Sequence, residues 1–140
     1  MLGRKDYTQD EIDHARTAID RQLSTYRTLA AAAGAQEKGA DALEAFDDDF
    51  FRSLLLALDR PFVHRLRSIT GKAGSPLNEL ELLVESLLDN DGVLRGNTVI
   101  RYVPGDAVLK LEPGDRIRLT VDDFDRLATA VFLELESKYL

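Results

Sequence analysis

The stretch "NTVIRYVPGDAVLKLEPGDRIRLT", residues 97–120, decides whether this chain is purely helical or mixed. It is rich in β-branched residues, alternates apolar with polar positions and carries two Pro-Gly-Asp turns, the marks of short strands joined by tight connections. The pattern predicts strands near 98–103, 107–111 and 116–120. The second and third should form a hairpin about "EPGD", where proline followed by glycine suits a type II turn. "VPGDAVLKL" and "EPGDRIRLT" resemble each other at a spacing of nine, which reads as recurring turn chemistry rather than a repeat architecture.

Everything around this segment carries helical periodicity. Upstream, "TQDE" places Thr8 and Glu11 at capping-box spacing. Ile12, Ala15, Ile19, Leu23, Tyr26 and Ala30 then follow at steps of three and four, and Gly34 offers a stop. A helix over 9–33 would be roughly 38 Å long, while a domain of this size has a radius of gyration near 14 Å, so it should cross the whole domain or extend past it. After a linker, "GAQEKGA", a second helix is expected over 41–58, with Leu43, Phe46, Phe50, Leu54 and Leu58 turned inward.

Pro61 suits the first turn of a third helix over about 60–70, and Ser75-Pro76 opens a fourth running to Asp89. Thr120 and Asp123 resemble a cap before a last helix over 121–139. The expected fold is therefore α+β: a single domain over 1–140, mainly helical with about five helices, and a small antiparallel sheet of two to three strands over 97–120 between the fourth and last helices. Phe46, Phe50, Leu54, Leu80, Val84, Leu87, Phe124, Val131 and Phe132 should share its core.

Composition bounds the function. The 140 residues are 44% hydrophobic and 31% charged, as in a folded globular domain. With 25 acidic against 18 basic residues the net charge is -7, which argues against coating nucleic acid or an anionic membrane through the overall field. The absence of cysteine removes disulfides, thiolate nucleophiles and cysteine-held zinc. The start "MLGRKDYTQD" lacks the apolar run of a secretory signal, and no apolar stretch approaches the roughly 20 residues that span a bilayer. A cytoplasmic location is expected.

Against this acidic background, "RPFVHRLRSITGKAGS" (60–75) contains no acid. On a helix Arg60, His64 and Arg67 fall on one face opposite Phe62, Leu66 and Ile69, with Lys72 just beyond. The neighbouring windows Asp41–Asp49 and Glu79–Asp91 each hold five acids and no base. Arg60, His64, Arg67 and Lys72 are therefore the candidate anion-binding residues. An anion site would leave them converging on solvent, whereas a solvated face would pair them with those acids.

Other chemistry is sparse. "ITGKAGS" departs from the phosphate-binding pattern G-x-x-x-x-G-K-[ST], because Leu66 stands at the first glycine position and Ala73 replaces the hydroxyl residue. The order helix, turn, helix and hairpin over 60–119 resembles the layout of a winged helix, without its signature residues. The outward ridge expected on the recognition-helix equivalent is Asn78, Glu81, Glu85 and Asp89, which would repel DNA. His14 and His64 lie on separate helices with no metal-ligand spacing, and no G-x-S-x-G elbow occurs.

Neither catalytic residues nor a metal or cofactor is assigned. The expected function is a non-enzymatic protein-interaction or scaffold module, dimeric through the N-terminal helix and open to a protein partner. The alternative is an anion-responsive or nucleic-acid-associated regulatory domain using the cationic ridge.

Overall fold

The computed structural model describes residues 6–35, 37–67 and 70–140, the side chains at 37 and 38 excepted. Four helices carry the fold: α1 (Gln9–Ala33), α2 (Glu37–Leu58), α3 (Pro76–Asp89) and α4 (Val121–Lys138). Three begin with reciprocal caps, in which the hydroxyl of Thr8, Ser75 or Thr120 accepts from the backbone three residues on, and that residue's side chain accepts from the cap backbone. Each such box satisfies two orphan N–H groups, which explains why these three starts were legible in the sequence. Among the described residues no helix is long and apolar enough to cross a membrane.

The separate third helix expected over 60–70 does not form. Instead α2 runs on through a π-helical turn, Asp59–Val63, into a single α-turn, His64–Leu66. Pro61 has no N–H to give and its ring would press on the carbonyl four residues back, and the wider π turn accommodates it without ending the helix. Ser68 and Ile69, the end of that expected helix, lie outside the described residues.

The sheet is absent as well. Among the described residues there are no strands, and the fold is mainly helical rather than α+β. The expected "EPGD" turn does close: Asp115 N–H donates to Glu112 O at 2.9 Å with Gly114 at φ +100°, the left-handed conformation that position of a type II turn requires. Its arms do not pair with each other. The descending arm meets the segment after α3, through one antiparallel bridge, Val93 to Arg116, flanked by Leu94 N–H to Asp115 O and Ile117 N–H to Gly92 O, both at 2.8 Å.

The backbone of the expected second strand has another partner. Glu79 on α3 accepts from Val108 N–H at 2.8 Å and Leu109 N–H at 3.0 Å, and Lys110 sits at φ +56°, which breaks any strand there. The first "PGD" forms a short 3₁₀ turn, Pro104–Asp106. The alternation in 97–120 thus reports side chains packing on helices: Ile100 is buried and Tyr102, Val108 and Ile117 pack against the core from a non-strand backbone.

Helix α3 is the hub. Its residues from Leu77 to Val84 are all buried, including Asn78, Glu79 and Glu81. The outward polar ridge expected at Asn78, Glu81, Glu85 and Asp89 therefore exists only at its far end, where Glu85 is half-buried and Asp89 exposed. Buried polar groups need partners, and here each one fastens a loop. Asn78 accepts from Gly74 and Ser75 N–H and donates to Gly71 O, Glu79 holds 108–109, and Ser86 accepts from Arg95 N–H at 2.9 Å.

Helices α1 and α4 pack together, each also touching α2. They run antiparallel: Tyr7 N–H donates to Tyr139 O at 2.6 Å, Arg16 pairs with Glu136, and at the other end Arg27 reaches Asp122 at 3.1 Å.

Candidate interaction surface

Three phenylalanines occupy six positions on α2: Phe46, Phe50 and Phe51. Successive helical residues point 100° apart, so all three cannot face inward together. The structure turns Phe51 into the core with Leu54, Leu55 and Leu58, leaving Phe50 half-buried and Phe46 43% exposed. Of the nine residues expected in the core, Phe46 is thus at the surface and Phe50 at its edge, while the other seven are buried.

The displaced rings build a continuous stack. Phe46 lies on Phe50 with centroids 5.2 Å apart and planes at 22°, Phe50 lies on Tyr26 of α1 at 5.2 Å and 9°, and Tyr26 meets buried Phe51 edge-on at 5.1 Å. Offset and edge-on geometries suit the ring quadrupoles. The Tyr26 hydroxyl is anchored by donating to Asp47 Oδ1 at 2.6 Å. Burial, then that bond to a carboxylate, push its pKa up to about 12, so the hydroxyl stays a donor throughout the physiological range.

Beside the stack runs a groove of about 230 Å³ between α1 and α2, walled by Thr25 and Leu29 on one side and Phe46 and Phe50 on the other. Leu29 is 50% exposed. Arg21 is exposed on the α1 rim and Asp49, one turn beyond Phe46, is exposed on α2. The aromatic run "FDDDFF" was the available signal, since only one of its faces can point inward.

The four residues expected to bind an anion are placed differently. Arg67 and Lys72 come together on buried carboxylates: Arg67 lies 3.1 Å from Asp59 and 3.3 Å from Glu81, and Lys72 lies 3.5 Å from Glu81 while donating to Arg67 O at 3.0 Å. Asp59 and Glu81 are 4% and 5% exposed. Burial raises the Asp59 carboxyl above its usual value despite the opposing fields of Arg67, His64 and Arg60, so desolvation outweighs the cations around it. Arg60 and His64 are exposed and, among the described residues, neither makes an ion pair. His14 is exposed on α1.

No group of three or more potential metal ligands comes together among the described residues. The chain matches no protein-family model, no curated protein and no solved structure.

Proposed function

We propose that this chain is a non-enzymatic interaction module that associates with a second copy of itself across the α1–α2 groove. The observation that carries this reading is the solvent-facing end of the aromatic stack. Phe46 and Leu29 hold their apolar surface in water beside a preformed groove, an arrangement whose burial contributes roughly 25 cal/mol per Å² of apolar area.

Charge selects the occupant. Arg21 lines the groove on the α1 side, and Asp49 is exposed on α2 one turn from the lining residue Phe46. A two-fold axis through the groove sets each opposite its complement, since in such an interface residue i meets j and j meets i. Both rims lie on helix faces that need no rearrangement to meet a partner, which limits the ordering cost of association.

Sedimentation equilibrium provides the test. The expected mass is twice the 15.6 kDa of the chain, and the double substitution Leu29→Glu with Phe46→Glu should return it to a single chain with little change in thermal stability, because both side chains are already exposed. A wild-type chain that stays monomeric at high micromolar concentration overturns self-association. A doubly substituted chain that remains dimeric overturns the groove as its seat.

A further inference from the structure

Three of the arginines without a carboxylate partner share one cavity. Arg52 on α2, with Arg116 and Arg118 beyond the 112–115 turn, lines a partly open cavity of about 50 Å³ whose lining includes Leu55 and Leu87. Among the described residues none of the three makes an ion pair, whereas Arg16, Arg27, Arg67 and Arg126 each reach a carboxylate. Two of the guanidiniums converge on Gly92: a Cβ there would stand 3.2 Å from Arg52 Nη2 and 3.7 Å from Arg116 Nη1. Gly92 adopts φ +75° and is buried, so a residue with a side chain would be strained there and would also press on both cations.

Like charges brought this close repel unless something negative stands between them. The C-terminal carbonyls of α3, which ends at Asp89, supply only about half an elementary charge. The carboxylates on the same cavity, Asp47 and Asp48, lie beyond ion-pairing distance, and Asp47 is engaged by the Tyr26 hydroxyl. The cavity continues into an open cleft of about 470 Å³ that shares Asp47, Asp48 and Arg118 and adds Asp41 and Glu44. Asp48 and Arg52 thus stand one helical turn apart on α2, with Arg116 and Arg118 on the arm that faces them.

We infer that this cleft binds a small zwitterion, its carboxylate held by Arg52 and Arg116 and its ammonium facing Asp48. Guanidiniums suit a carboxylate because their forked donors match its two oxygens. The adjacent acids Asp47 and Asp48 repel a dianion such as phosphate and attract a ligand that carries its own cation, and the spacing of one helical turn between Arg52 and Asp48, about 5.4 Å along the axis, limits the body to a few carbons. This inference is independent of the groove, which uses the Phe46 and Phe50 face of α2.

Titrating the full ¹⁵N-labelled chain with 4-aminobutanoate, acetate and inorganic phosphate tests it. Saturable shifts of the Gly92 and Ile117 amides are expected, with 4-aminobutanoate about tenfold tighter than acetate and both tighter than phosphate. Arg52→Gln and Arg116→Gln should each weaken both carboxylates by about tenfold or more. Asp48→Asn should abolish the preference for 4-aminobutanoate and leave acetate unchanged. Arg52, Arg116 and Asp48 are exposed, and the unperturbed amide spectrum of each variant verifies its fold. Absence of saturable shifts, affinity unchanged in both arginine variants, equal affinity for acetate and 4-aminobutanoate, or tighter binding of phosphate would each overturn the proposal.

Discussion

Two groups of cations in this molecule differ in one respect, whether their acids are delivered by the fold. Around the π turn, Arg67 and Lys72 meet Asp59 and Glu81, two carboxylates carried into the interior by α2 and α3. At the other end of α3, Arg52 and Arg116 converge on Gly92 and line a cavity with Arg118, while Asp47 and Asp48, on α2 like Arg52, stay beyond ion-pairing distance. The first group is structural: its charges are spent on groups that could not otherwise be buried. The second has no carboxylate within ion-pairing distance among the described residues. Sequence density of cations pointed to a group in which Arg67 and Lys72 are paired inside the fold, because a cation's availability depends on tertiary neighbours rather than on its own segment.

Removing one arginine from each group is the strongest way to break this contrast. Arg67→Ala leaves Asp59 and Glu81 buried without the guanidinium that bridges them, and breaking a buried pair from one side costs about 3 to 5 kcal/mol. The lower end is expected, because the Arg67 side chain is 29% exposed and Lys72 still lies near Glu81. Arg52→Ala removes a charge that repels Arg116 and should change stability by less than about 0.5 kcal/mol. Urea unfolding of both variants measures the difference, and equal losses would erase the distinction between a structural and an available cation.

The same contrast explains what was legible in the sequence. The caps at Thr8, Ser75 and Thr120 and the periodic faces of α1 and α4 are local properties, decided within one or two turns, and they stood as read. The sheet failed because its evidence was local while its existence depended on a remote carboxylate: Glu79 takes the 108–109 amides that a hairpin would have used. Glu81 read as part of an exposed acidic ridge because a glutamate's period says nothing about what covers it. The ridge at Arg60, His64 and Arg67 was read by helical geometry through a π turn, which shifts the angular register. Phe46 and Phe51 exchanged places because a helix with apolar residues at 46, 50, 51, 54 and 55 has two admissible inner faces, and contact with Phe124 of α4 selects one.

A smaller effect sharpens the comparison by testing a buried acid that has no cation at all. Glu79 is 4% exposed and is satisfied by two backbone N–H donors. Glu79→Gln presents an amide where one acceptor stood and should cost about 1 to 3 kcal/mol at neutral pH. Burial raises its carboxyl above the usual value, outweighing those two bonds, so the folded state holds the proton more tightly than the unfolded one. Stability contributed by this group is then greatest below the unfolded value and falls as pH rises through the folded one. The wild-type advantage over Glu79→Gln should therefore be larger at pH 4 than at pH 7, and guanidinium unfolding at the two values checks the sign. An advantage that grows toward pH 7 would show the two amides dominating burial.

The smallest effect concerns the residue that touches both proposed surfaces. Tyr26 stacks on Phe50 in the groove while its hydroxyl donates to Asp47, which lines the arginine cleft. Tyr26→Phe keeps the ring and deletes only that donor, so it should cost about 0.5 to 1.5 kcal/mol, the net value of one intramolecular hydrogen bond. Dimerisation should be preserved, because the groove needs the ring alone. Spectrophotometric titration gives an independent reading: Tyr26 and Tyr102, both pushed up to about 12, should ionise above the ordinary tyrosine range, Tyr26 because of burial and its bond to Asp47 and Tyr102 because of burial and the field of Glu79. In Tyr26→Phe one of these two late ionisations should vanish. A variant that keeps both would mean that Tyr26 is not one of the late-ionising tyrosines, and one that loses the dimer along with the hydroxyl would mean that the bond to Asp47 rather than the aromatic stack positions this face.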